Sequence, residues 1–161
     1  MLSFDRRSIL LGLLALPACG FEPVHGTRGS AQGLYGQITF EAPNDANSFN
    51  LRKQLEDRLG RNDAGLFTMA VSLDLRTESL SITSEQSINR RNVIGSARYQ
   101  IRRSDTGEVL DQGKVSNFTG YSSSGSTVAT ASARDDGCER LTTTLADQLI
   151  SRLYATAGSW Q

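Results

Sequence analysis

The sequence predicts an α+β fold, with two helices packed on one face of a mainly antiparallel four-stranded sheet. Three observations carry that expectation. Phe67, Met69, Val71, Leu73 and Leu75 alternate with Thr68, Ala70, Ser72, Asp74 and Arg76, which is the period of a strand with one buried face. Leu51, Leu55 and Leu59 fall four apart, and Cys138, Leu141, Leu145, Leu149 and Leu153 recur three and four apart, so each set forms the buried stripe of a helix. The order β, α, β, β, β, α then places both helices on the apolar side of one sheet.

The chain opens with Arg6-Arg7, an apolar run Ile9–Leu16, small residues and Cys19. A cationic start, a short apolar centre and a small-residue cleavage site are the parts of a secretory signal peptide. The run is shorter than the roughly 18 apolar residues that a spanning helix needs. Leu16, Ala18 and Cys19 resemble the lipobox of bacterial lipoproteins, which makes residues 1–18 the leader and Cys19 the lipid attachment site. Residues 19–34 are rich in glycine, lack periodicity and read as a tether. The folded domain is expected over residues 35–158.

Tyr35 to Phe40 is a short strand stopped by Pro43-Asn44-Asp45, and Asn47 or Ser48 offers the N-cap of a helix over residues 48–60. The long strand from Phe67 weakens after Thr77 and continues past a bulge through Leu80, Ile82 and Ile88. Asn89-Arg90-Arg91-Asn92 reads as a polar turn at a hairpin tip. Val93, Ala97, Tyr99 and Ile101 resume the alternation on one side of the next strand, with Arg98, Gln100 and Arg102 on the other. Asp105-Thr106-Gly107 is a tight-turn signal, and Val109 to Tyr121 supplies the last strand. Tyr121–Thr127 is too polar to bury and reads as a loop. The last helix is expected over residues 130–154, irregular near Gly137.

The chain carries 17 basic and 17 acidic residues, so bulk electrostatic binding to nucleic acid has no support. Its single histidine, His25, sits in the tether, which removes a Ser-His-Asp site and a histidine metal cluster within the domain. There is no Walker loop, no Gly-x-Gly-x-x-Gly and no His-Glu-x-x-His. Asp135, Asp136 and Glu139 fall early in the last helix, where the helix dipole gives carboxylates a capping role. Cys138 reads as a small buried hydrophobe. Arg90 and Arg91 at the expected tip, with Arg98, Arg102 and Arg103 beyond, suit phosphates or carboxylates, or else a solvated edge that blocks sheet-to-sheet pairing.

These residues carry a resemblance. Cys19-Gly-Phe-Glu-Pro23 with Gly26, then Tyr99-x-Ile101, Thr106-Gly107-x-Val109-Leu110-x-x-Gly113 and Tyr121 are similar to the LptE family in its α-proteobacterial form. Ala129-Thr130, Arg140-Leu141 and Leu145-Ala146-Asp147-Gln148-Leu149-Ile150-x-Arg152-Leu153 resemble the same family. The resemblance implies helices layered on a four-stranded sheet and a non-enzymatic role with no cofactor. It implies an outer-membrane lipoprotein on the periplasmic side, anchored in the membrane through acylated Cys19 with palmitate among its chains. That lipoprotein plugs the LptD β-barrel, helps it assemble and presents lipopolysaccharide, with Arg90 and Arg91 as expected lipopolysaccharide contacts. A periplasmic ligand carrier and a generic envelope scaffold are the competing readings.

Overall fold

A computed structural model describes residues 33–43, 45–79 and 90–160. The leader, Cys19, His25, nearly all of the tether and the expected strand continuation through Leu80–Ile88 lie outside the described residues. Four strands form one sheet in the order β1 (Ile38–Phe40), β2 (Phe67–Ser79), β3 (Arg90–Arg103) and β4 (Val109–Ser122). β1 runs parallel to β2, and the other two pairs are antiparallel. Two helices, α1 (Ala46–Leu59) and α2 (Thr127–Thr156), lie on the same face. The expected α+β architecture is the one observed.

The helices begin earlier than the sequence suggested, because the capping residues lie further upstream. Asp45, not Asn47 or Ser48, caps α1: its Oδ1 accepts from the Ser48 N–H at 2.9 Å. Ser48 is instead a buried residue inside the helix. Its hydroxyl donates to Asp45 Oδ2 at 2.7 Å and accepts from the Leu73 N–H at 3.1 Å, so the cap also ties α1 to β2. Ser126 caps α2 by accepting from the Ala129 N–H at 3.2 Å. Asp135 and Asp136 therefore stand two turns inside the helix, too far in to cap it, and Asp136 pairs with Arg140. No irregularity occurs at Gly137; α2 runs unbroken through it.

The core lies between the helices and the sheet. Leu51, Leu55 and Leu59 from α1, with Leu141, Leu145, Leu149 and Leu153 from α2, meet Met69, Val93, Ala97 and Ile101. Leu34 and Trp160 are also buried there, and the Trp160 ring stands edge-on to Phe67 at 5.2 Å. Leu145 and Leu141 descend onto Gly95, where an added Cβ would come within 2.9 Å and 3.0 Å of their terminal methyls. The close approach of α2 to β3 thus depends on the missing side chain. Thr142 is buried as well; its hydroxyl donates to the Cys138 carbonyl at 2.8 Å, which satisfies it without water.

A polar latch fixes the far end of α2. Tyr99 donates to Asp111 Oδ2 at 2.9 Å, Arg152 Nε donates to the Tyr99 oxygen at 3.0 Å, and Thr156 donates to the same Asp111 oxygen at 2.7 Å. Burial, then the bond to Asp111, raises the Tyr99 pKa above the ordinary phenolic value. Tyr121, the expected end of the last strand, is buried within β4, and the loop expected over Tyr121–Thr127 shortens to Ser123–Ser126.

Candidate functional site

Both helices cover one face of the sheet, and among the described residues no element covers the other, open face. Successive residues of a strand point to opposite faces, so the register assigns every side chain. Thr68, Ala70, Ser72, Asp74, Arg76 and Glu78 of β2 lie on the open face, beside the even-numbered residues of β3. Across β3, Ser96 faces Ser116, Arg98 faces Lys114 and Ile94 faces Phe118.

The expected pair Arg90 and Arg91 is divided by this rule. Neither sits in a turn: they begin β3, with Arg90 opposite Ser122 and Arg91 between Ser79 and Tyr121. Polar residues at a strand end look like a turn in sequence, because nothing there needs burial. Arg90 belongs to the open face with Asn92 and Ile94. Arg91 shares the helix side with Val93 and Tyr121, at its exposed end. The two side chains therefore diverge instead of forming one double fork. β3 is also an interior strand, so Arg98, Arg102 and Arg103 do not protect a sheet edge.

Ion pairing separates the cations of the open face. Arg102 reaches Glu41 at 3.2 Å and also bonds Gln100, and Arg76 reaches Glu78 at 3.5 Å. Among the described residues, Arg90, Arg98 and Lys114 have no carboxylate within ion-pair distance. Arg98 and Lys114 are direct cross-strand neighbours, an arrangement that costs stability because like charges repel. Phe118, 65% exposed, and the half-buried Ile94 form an apolar spot one residue pair removed from those cations. A face with unpaired cations beside an exposed aromatic suits a ligand or partner that is anionic and partly apolar.

Arg98 was visible in the sequence as a cation on a strand, but its pairing with Lys114 was missed. Counting back from the tight turn at Asp105-Thr106-Gly107, where Gly107 takes φ 72°, pairs Arg102 with Val109 and would set Arg98 opposite Gly113. A bulge between Ile101 and Arg102 shifts the register by one and brings Arg98 opposite Lys114, and the turn residues give no sign of it.

A groove of about 610 Å³ separates the N-terminal halves of the helices, lined by Asn47, Asn50, Lys53 and Gln54 of α1, Leu75 of β2, and Arg134, Asp135, Asp136, Cys138, Glu139 and Thr142 of α2, so that its walls are mostly polar and charged. Cys138 is half-buried and its thiol pKa is raised, chiefly by burial, which disfavours the nucleophilic thiolate. Among the described residues no group of three His, Cys, Asp or Glu side chains is placed to hold a metal ion. No helix among them is long and apolar enough to cross a membrane.

Comparison with known proteins gives a family and a fold. The LptE family profile, described as lipopolysaccharide-assembly, matches residues 35–153. No curated protein sequence matches the chain. A Caulobacter crescentus CB15 protein described as a lipoprotein superposes with a TM-score of 0.66 at 20% identity, over 80% of this chain and 96% of that one. Rare lipoprotein B from Shewanella oneidensis gives 0.58 at 12% identity, over 76% and 96%. A minor lipoprotein from Acinetobacter baumannii gives 0.59 at 16% identity, over 76% and 92%. At such identities these likenesses establish the fold.

Proposed function

The chain belongs to the LptE lipopolysaccharide-assembly family, and on that premise we propose that it is an outer-membrane lipoprotein that seats inside an LptD-like β-barrel. In this reading it plugs the barrel, helps it assemble and passes lipopolysaccharide toward the cell surface. Acylation of Cys19 holds it on the periplasmic side, where more than one acyl chain is needed for stable attachment. The observation that carries the reading is the family match over residues 35–153.

The open face supports the finer part. Barrel lumens are polar, and this face offers serine, threonine, glutamine and arginine side chains on a rigid sheet. The phosphates of lipopolysaccharide would meet Arg90, Arg98 and Lys114 through charge-assisted bonds, and its acyl portion would meet Phe118 and Ile94. Arg91 would act from the end of the sheet on the helix side.

The test pairs two measurements on the same variants, lipopolysaccharide binding and barrel co-purification. Arg98→Glu with Lys114→Glu, and separately Arg90→Glu with Arg91→Glu, should weaken lipopolysaccharide binding and its salt sensitivity. Co-purification should survive, because a barrel interface spreads over many residues. Unchanged binding with lost co-purification would move these cations to the protein–protein interface.

A further inference from the structure

The two edges of the sheet are finished differently. In an antiparallel ladder, residues alternate between those bonded across and those whose backbone groups point away. On β2 the odd-numbered residues point outward: Phe67 N–H donates to Gln37 at 3.0 Å, and the Met69 carbonyl accepts from Glu41 at 2.9 Å. The same count through β3 turns the even-numbered residues of β4 outward. On β4 two of those donors are consumed locally, Gln112 N–H by Asp111 Oδ1 and Phe118 N–H by Asn117 Oδ1, both at 2.8 Å. On β2, β1 covers Phe67–Met69 alone and Ser48 takes the Leu73 N–H. Beyond that point Leu75, Thr77 and Ser79 direct backbone donors and acceptors outward, with no partner for them among the described residues.

We propose that the Leu75–Ser79 edge of β2 takes up an extended segment of a partner polypeptide as a fifth strand. Alternating outward N–H and C=O groups are matched in spacing by another extended backbone, which is how peptides join exposed sheet edges. The flanking side chains define the segment. Asp74, Arg76 and Glu78 alternate in sign along the open face, so the facing positions of the segment are basic, acidic and basic. On the other face Leu75 stands at the wall of the groove between the helices, whose remaining lining is mostly polar and charged, with Asn50, Lys53, Arg134 and Glu139 among it. The apolar residues of the segment stand opposite Leu75 and Thr77 and pack on the Leu75 side chain at the groove's rim. A second copy of this chain would align Arg76 with Glu78, but so short an edge buries far less than the roughly 1,200 Å² of a stable interface. A partner segment whose other residues reach the polar and charged groove beside Leu75 buries more. The inference does not depend on the barrel reading, since it names a backbone edge and no transport step.

The probe is the peptide Thr-Lys-Val-Glu-Val-Lys-Thr, whose charge order is the same in either strand direction. Its control is the charge-reversed Thr-Glu-Val-Lys-Val-Glu-Thr. Amide hydrogen exchange is followed on the full chain. With the probe at ten times its Kd, exchange at Leu75 and Thr77 should slow about tenfold, while Lys114 and Ser116 on β4 stay unchanged. Thr77→Pro removes an outward donor and leaves the ladder to β3 intact; it should abolish the effect. If that variant fails to fold, Arg76→Glu with Glu78→Arg should transfer the preference from the probe to the control peptide. No slowing at Leu75 and Thr77, or equal slowing with both peptides, would overturn the proposal. Concentration-dependent protection without peptide would also overturn it, by making a second copy the occupant.

Discussion

The two faces of this sheet are built from the same three long strands, yet they obey different rules. On the covered face Met69, Leu73, Val93, Ala97, Tyr99 and Ile101 are buried against helical leucines, and hydrophobic burial dictates what can stand there. On the open face Thr68, Ser72, Ser96, Arg98, Gln112 and Ser116 meet no second layer among the described residues. Substitutions at such surface positions usually change stability by no more than about 0.5 kcal/mol. Stability therefore constrains the covered face and leaves the open one free to be shaped by what it binds. An exposed phenylalanine, and two cations placed opposite each other, are features that stability alone does not select.

That contrast breaks if the covered face proves tolerant. Leu145 is fully buried over Gly95, so Leu145→Ala should cost about 2–5 kcal/mol. Thr142 is also buried, but its hydroxyl bonds only its own helix, so Thr142→Ala should cost about 1 kcal/mol or less. Equal melting temperatures for the two variants would refute this account of the core.

Two glycines on the covered face sharpen the comparison further, because they should respond with opposite sign. A Cβ at Gly95 meets Leu75 at 2.8 Å as well as the two α2 leucines, so Gly95→Ala should destabilise by about 1–3 kcal/mol through overpacking. At Gly137 the nearest atoms, on Tyr121 and Val93, stand at 3.7 Å, an ordinary contact. Gly137→Ala should stabilise α2 by about 1 kcal/mol. Denaturant midpoints for both variants decide the matter.

The cap on α1 gives a smaller effect with a pH signature. Bonds from the backbone N–H and then the hydroxyl of Ser48 lower the Asp45 pKa below the ordinary carboxylate value. A depressed folded pKa means that the contribution is present above the unfolded value, about 3.9, and is lost as pH falls through the folded value. Asp45→Ala should cost about 0.5–2 kcal/mol at neutral pH. The carboxylate is exposed, which screens the charged part toward the low end. The gap between wild type and variant should narrow below about pH 4; a gap independent of pH would mean that the carboxylate does not act as the cap.

The difference between the faces also explains what could be read from the sequence. The covered face was legible because burial imposes a period: Leu51, Leu55, Leu59, the α2 stripe and the alternation of β2 and β3 all recur in the core. Where burial stops, the signal stops. Arg90-Arg91-Asn92 looked like a turn because an exposed strand end needs no apolar residue, and the strand became visible only at Val93. Burial of Thr142 leaves no periodic signal for a related reason, since a hydroxyl satisfied by the preceding turn enters the core without an apolar signature. On the open face Arg98 was visible singly, but its place beside Lys114 required the register, which a bulge between Ile101 and Arg102 shifts by one from what the turn at Asp105-Thr106-Gly107 alone would give. Cys19 and the leader lie outside the described residues.

The smallest expected effect tests the open face most directly, because stability and binding should move in opposite directions. Arg98 and Lys114 stand opposite each other with no carboxylate within ion-pair distance among the described residues. Lys114→Glu replaces a repulsive cross-strand pair with an attractive one, and should raise stability by about 0.2–1 kcal/mol. That gain should fade at high salt, since exposed charges are screened over about 8–10 Å at 0.1–0.15 M. The same change removes one cation of the proposed anion-binding face and neutralises its neighbour, so lipopolysaccharide binding should weaken. A structural role for the two cations predicts the reverse coupling, in which stability and binding fall together. Melting and lipopolysaccharide binding measured on this one variant, at low and high salt, therefore separate a face held open for a ligand from one that merely meets solvent. If Lys114→Glu is less stable than wild type at low salt, the repulsion inferred from the register is absent and the face loses its claim to function.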